Sequence, residues 1–262
     1  MERWINQLFS NWGLLAANFR GERIPLGVGV FLLFGQGLYL MLRSTIGIGL
    51  GWGEPVQTSS FLFFIAMSAV AIIGFIDDRW GRYDIKGLRG HLQYARVHRK
   101  LSTGLWKILI IMLSAMLVSF NIAPLNRWWL AIIILMLSSN LFNLLDVRPG
   151  RTGKMFLLMG LLSIIITGEW NWLLGEWLGI WGVWLFLIIG DLQGKWMLGD
   201  VGSNLLGFIT GIWIISLYPF WLQLLLGFVF LWLHWFAEKY SIQRWIEAHR
   251  WIRLVDEWGR IR

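Results

Sequence analysis

Residues 59–76 read SSFLFFIAMSAVAIIGFI, a run with no charged side chain, and the next two positions are Asp77 and Asp78. A hydrocarbon core of ~30 Å is crossed by roughly 20 apolar residues in an α-helix. The run therefore predicts a membrane span that delivers two adjacent carboxylates to one of its ends. Similar runs recur along the 262 residues, at 26–43, 104–120, 128–145, 155–174, 176–190, 201–217 and 219–236. Eight spans are predicted in all, in an all-α, polytopic transmembrane bundle.

Composition agrees. Hydrophobic residues make up 57% of the chain and charged residues 15%, and the mean hydropathy is +0.61, well outside the balance of a soluble domain. The chain reads as one integral membrane domain, 1–262, with its bundle over 25–236. Residues 1–24 lack a signal-peptide cleavage pattern and are expected to lie along the interface. Residues 237–262 form an amphipathic tail in which Ile242, Trp245, Ile246, Ile252 and Val255 share a helical face. Many of the 20 Trp, among them Trp52, Trp80, Trp106, Trp129, Trp170 and Trp221, fall near span ends, where an indole anchors at the lipid boundary. There is no Cys, so disulfides and thiolate metal sites are excluded.

Basic residues set the orientation. With the N-terminus inside, three Lys or Arg precede residue 26, seven fall in 77–103, three in 146–154, one in 191–200 and six in 237–262. Only Arg43 and Arg127 fall outside, and Lys107 lies within a span. The formal charge of +8 then reflects the positive-inside bias and attraction to anionic head groups, and requires no nucleic-acid partner.

The same model brings Asp77, Asp78, Asp146, Asp191 and Asp200 to the cytoplasmic ends of four spans. Each has an ordinary reading taken singly; Asp200, for instance, sits where it caps the free N–H groups of Val201, Gly202 and Ser203. Jointly they imply more, because Asp77 and Asp78 repel one another unless a cation intervenes. Hard oxygen donors without Cys favour magnesium, which bridges one or two carboxylates to substrate phosphates. Arg79, Arg82, Lys86, Arg148, Arg151 and Lys154 crowd the same loops. Together with the Gly-rich segment Gly199-Asp200-Val201-Gly202-Ser203 they suit a pyrophosphate.

These motifs resemble the polyprenyl-phosphate N-acetylhexosamine-1-phosphate transferases, the glycosyltransferase family 4-like group that includes translocase I of peptidoglycan synthesis. Asn18 to Pro25 with Gly27 and Gly29 is similar to the family's early segment. Gly74-Phe-Ile-Asp-Asp78, followed by Lys86-Gly-Leu88, resembles its paired-aspartate motif. Asn140-Leu-Phe-Asn-Leu-Leu-Asp146 and Met197-Leu-Gly-Asp-Val-Gly-Ser203 resemble its two later acidic motifs.

The resemblance implies a magnesium-dependent enzyme of the cytoplasmic membrane, its active site on the cytoplasmic face. Such an enzyme moves a phospho-N-acetylhexosamine from a UDP-amino sugar to undecaprenyl phosphate and releases UMP. It implies Asp77, Asp78 and Asp200 as catalytic residues, with Asp200 and Asp77 on the metal. Asn143, Asp146 and Asp191 would line the nucleotide side, and Lys86 and Lys107 would meet phosphate. Its partners would be the polyprenyl phosphate lipid and the UDP-amino sugar in the membrane, with oligomerisation left open. Two departures stand out: Val147-Arg-Pro-Gly150 replaces the family's Gly-x-Asp-Gly, and of its late His-rich loop only His234 remains. They motivate an alternative, a relative that binds lipid phosphate or a membrane partner without turnover. A transporter is disfavoured, since no acid lies deep within a span.

Overall fold

The computed structural model describes residues 2–47, 57–81 and 87–260. Trp52 and Lys86 lie outside them. The elements run α1 (Glu2–Asn11), β1 (Leu15–Ala17), β2 (Arg23–Pro25), α2 (Val30–Leu42) with a π-helical extension Arg43–Gly47, α3 (Thr58–Trp80) and α4 (Gly87–His98). They continue with α5 (Thr103–Ile122), α6 (Trp128–Leu145), α7 (Arg151–Thr167), α8 (Trp170–Glu176) and α9 (Leu178–Leu192). Last come α10 (Gly199–Leu217), α11 (Phe220–Lys239), α12 (Ile242–Ala248) and α13 (Arg250–Glu257). The fold is all-α apart from the small hairpin β1–β2, paired antiparallel around Ala16 and Ile24.

A helix stands at each of the eight predicted spans, but they differ in reach. Helices α3, α5, α6, α10 and α11 are long and apolar enough to cross a membrane, and α8 with α9, bent by 75°, makes a sixth if counted as one span. Helix α2 has 13 residues and α7 has 17, so at 1.5 Å per residue α2 is roughly 20 Å long and falls short of the hydrocarbon core. Hydropathy registers the apolar run in both cases; it does not register where the helix stops. The chain is a multi-pass membrane protein, and five or six helical segments among its described residues are long and apolar enough to cross a membrane.

Helix α10 is the axis. Every residue from Val201 to Ile215 is buried, so this helix is enclosed by protein all round. It meets α6 at Gly207 and Gly211: a Cβ on either would lie within 2.5 Å of Ser138. Without a hydrophobic drive between helices in lipid, small residues at the contact let the backbones approach closely. Ser139 then hydrogen-bonds the Asn204 carbonyl at 3.0 Å. On the side of α7 and α9, Trp213 stacks on Trp181 and packs against Phe156. Trp213 is fully buried and Trp181 partly so, unlike Trp80, Trp106, Trp129, Trp170 and Trp221, which are exposed at helix ends as anchoring requires. Exposed apolar side chains such as Ile65 and Ile72 on α3 or Leu225 and Phe228 on α11 form the lipid-facing flank.

The tail differs from the sequence expectation. It is two helices, broken at His249, rather than one. Of the expected face only Ile246 is buried. The break rotates the second helix, so that Trp251, Leu254, Val255 and Trp258 form its exposed side.

Candidate active site

One end of α10 gathers the acidic residues. Gly199 adopts φ +70°, a left-handed conformation that glycine reaches without strain, and opens the helix at Asp200. The segment before it runs alongside the chain leaving β2: Gly27 and Val28 donate to the Met197 carbonyl, and Gly29 donates to the Leu198 carbonyl at 3.1 Å. At this crossing a Cβ on Gly29 would lie 2.1 Å from the Gly202 Cα. The early Gly27/Gly29 pair and the late Gly199/Gly202 pair are thus two halves of one contact. They place the start of α10 against the N-terminal segment.

Helix α3 brings its acids to the same point. The Asp78 carboxylate accepts the backbone N–H of Asp200 at 2.9 Å and that of Val201 at 3.2 Å. It caps α10 from a neighbouring helix, where free N–H groups and the helix dipole both favour an anion. Asp77 points elsewhere. Its carboxylate lies 2.6 Å from the Lys107 ammonium, which also meets Asp200 at 2.5 Å. All three side chains are largely buried, 13–25% exposed. Lys107 therefore neither snorkels to the surface nor stands free, but bridges two carboxylates from different helices.

The remaining acids border a cavity of about 650 Å³ beside this cluster. Asp146, just past the end of α6, accepts from the Thr152 hydroxyl at 3.1 Å, and Asp191 accepts the Gly150 N–H at 2.8 Å. Burial, and then the neighbouring Asp191 carboxylate, hold the Asp146 carboxyl well above the usual carboxylate range; Asp200 and Asp78 push it the same way. Asn18, Arg148, Tyr240 and Gln243 add polar groups to the cavity. Asn18 organises its own loop, its carbonyl oxygen accepting from Arg20 and Glu22 N–H and its amide donating to Glu22 and the Gly194 carbonyl.

Asn143 is not on the cavity wall. It accepts from the Ser203 hydroxyl at 3.1 Å and so ties α6 to the first turn of α10. The structure thus brings Asp77, Asp78, Lys107 and Asp200 into one cluster and Asp146 and Asp191 to the adjoining cavity. It gives Asn143 a place between helices, and Lys86 lies outside the described residues.

One residue set aside by the sequence reading belongs near the cluster. His91, on α4 among arginines, seats its Nδ1 2.8 Å from the Ser102 hydroxyl and its ring against Gly104. Burial lowers its pKa, and it feels the charges of both Asp77 and Lys107. The signal available in the sequence was Gly104, three residues before Lys107, whose missing side chain makes room for the ring.

Among the described residues no group of three or more His or acidic side chains forms a ready metal cage. Magnesium does not need one, since it binds through one or two carboxylates and completes its octahedron with water and phosphate oxygens. Asp77 and Asp200, converging on one cation, supply that donor set. The residues present fit a magnesium ion provided that the Lys107 ammonium gives way.

A family model described as glycosyl transferase family 4 matches residues 60–218. The match covers well over half of the chain and runs from α3 through α10, so it contains every residue of the cluster together with Asp146 and Asp191. No curated protein matches the chain.

Proposed function

The chain belongs to glycosyl transferase family 4, and from that premise we propose that it transfers a phospho-N-acetylhexosamine from a UDP-sugar to a polyprenyl phosphate at the cytoplasmic face of the cell membrane. The observation that carries this reading is the paired grip of Asp77 and Asp200 on one buried cation, with a cavity bordered by Asp146 and Asp191 nearby. A lipid phosphate oxygen would attack the β-phosphorus of the UDP-sugar. The bond from that phosphorus to the bridging oxygen breaks, UMP leaves, and a lipid-diphospho-sugar remains.

The chain's own groups divide the task. The cavity next to Asp146 and Asp191 is large enough for a nucleotide-sized ligand. Lys107, released from one carboxylate, would meet phosphate oxygens, and Asp77 would orient the lipid phosphate. Asp78 holds the start of α10 so that Asp200 is presented at a fixed position. A magnesium ion, held by Asp77 and Asp200, would neutralise charge on the diphosphate. The face is supported by the positive-inside count, and α2 and α7 would complete eight helices in the bundle where the bilayer thins locally around them.

The test is magnesium-dependent UMP release by purified protein supplied with undecaprenyl phosphate and a panel of UDP-amino sugars, with Asp200→Asn alongside. Release by the wild type alone is expected. Equal release by Asp200→Asn would overturn the assignment. Silence across the panel by folded protein that still binds the lipid would favour the non-catalytic alternative.

A further inference from the structure

The tail is bonded to the bundle through a group of charged side chains centred on Asp256. Arg151 forks onto Asp256, with Nε at 2.6 Å from one oxygen and Nη2 at 2.9 Å from the other, and Nη2 also reaches Gln243 at 2.8 Å. Arg260 donates to Asp256 at 2.8 Å and to the Pro149 carbonyl at 2.7 Å. Lys154 donates to the carbonyls of Val255, Asp256 and Trp258, satisfying the acceptors that the end of α13 leaves open. These bonds fix the rotation of α13 about its axis.

With Asp256 turned to the bundle, the opposite side of α13 carries Trp251, Leu254 and Val255, spaced i, i+3 and i+4, as one stripe that Trp258 continues just past the end of the helix. They are 79%, 49%, 69% and 75% exposed. Arg250 and Arg253, also exposed, flank the stripe. The tail follows directly from α11, a helix of membrane-spanning length and composition that ends at Lys239, so α13 begins only eleven residues beyond that helix.

We propose that the Trp251–Leu254–Val255–Trp258 face of α13 docks into the surface of an anionic bilayer, with the indoles at the acyl boundary and Arg250 and Arg253 at the head groups. An amphipathic helix with Trp and Leu on one side and cations on the other binds such a surface by burying apolar area and by charge. A second copy of the chain is a poorer occupant. A stable dimer buries about 800 Å² per partner, more than one face of an eight-residue helix offers, and the flanking arginines would face their own copies. The docking goes beyond the transferase reading and does not depend on it. Its consequence is local: Tyr240, Ser241 and Gln243, between α11 and α13, border the cavity, so a docked α13 holds that wall from the membrane side.

The absence of Cys permits a direct test. Single Cys variants of the full chain, Trp258→Cys on the stripe and Arg253→Cys on the other side, are labelled with an environment-sensitive fluorophore. Each is reconstituted in nanodiscs of phosphatidylcholine alone or with phosphatidylglycerol. The label at 258 is expected to shift to the blue and to be quenched several-fold more by spin-labelled lipid than the label at 253. The difference should be larger with phosphatidylglycerol and smaller in high salt. Both positions are exposed, so neither substitution removes a packed contact. Equal, water-like signals at the two positions in every nanodisc would overturn the proposal. So would a shift at 258 that appears only when two copies share a nanodisc, which would assign the face to a second chain.

Discussion

The Asp78 carboxylate accepts the backbone N–H of Asp200 at 2.9 Å, so the helix that begins with one acid is capped by another from α3. Removing the cap in Asp78→Ala should destabilise the protein by about 0.5–2 kcal/mol, the usual worth of an N-cap. Asp78→Asn keeps one acceptor oxygen but turns an NH2 toward the second N–H, so it should lose the charge contribution of about 0.3–1 kcal/mol together with one of the two hydrogen bonds, and fall between the wild type and Asp78→Ala. Thermal unfolding in detergent ranks the three proteins. A midpoint for Asp78→Ala equal to that of the wild type would show that the cap contributes nothing.

Lys107 holds two carboxylates, and its removal leaves them facing one another without a counter-charge. Breaking a buried ion pair from one side costs about 3–5 kcal/mol, so Lys107→Met should unfold at a markedly lower temperature in chelator. Because the vacated position suits magnesium, the ion should raise the midpoint of Lys107→Met more than that of the wild type. The measurement is a magnesium series followed by thermal unfolding, which requires no turnover. Parallel rises in both proteins would mean that Lys107 and the metal do not share a place.

Much of this was legible in the sequence, and the boundary of legibility is physical. Apolar runs located a helix at each of the eight positions, because burial in lipid leaves that pattern whatever the partner helices are. They did not reveal that α2 has only 13 residues or that α8 and α9 bend by 75°, since hydropathy sums over a run without sensing its direction. The acids were found, but their division was not: Asp77 and Asp78 are neighbours in sequence, yet helical rotation turns one toward Lys107 and the other toward the α10 backbone. Asn143, expected on the nucleotide side, also accepts from Ser203, a contact the sequence could not show because it depends on which helix packs against α6.

The crossing of the N-terminal segment over α10 rests on Gly29 and Gly202. In Gly29→Ala the new Cβ would lie 2.1 Å from the Gly202 Cα, a backbone contact that no rotamer can relieve. Overpacking of this kind costs about 1–3 kcal/mol, and the displaced segment would also shift the start of α10. Gly182→Ala supplies the contrast: nothing lies within 4 Å of its Cβ, and within α9 Ala should be favoured over Gly by about 0.5–1 kcal/mol. Opposite shifts in unfolding midpoint are expected. A neutral Gly29→Ala would show that the crossing can open without cost.

The tail should loosen in acid, and the sign follows from Asp256. Burial would raise its pKa, but the hydrogen bonds from Arg151 and Arg260 outweigh that and hold the carboxyl below its ordinary value of 3.8. A group with a depressed folded pKa contributes stability that is fully present above its unfolded value and is lost as the pH falls through the folded one. The latch should therefore be intact near neutral pH and release only below about pH 4. A spin label at Trp258→Cys, in detergent so that no bilayer restrains the stripe, reports the release as increased mobility. Asp256→Asn lacks the charge at every pH and leaves Arg151, whose side chain is 5% exposed, without its counter-ion. Its label should be mobile already near neutral pH and respond little to acid. If the two proteins instead show the same acid response, the titrating group lies elsewhere and Asp256 does not hold the tail.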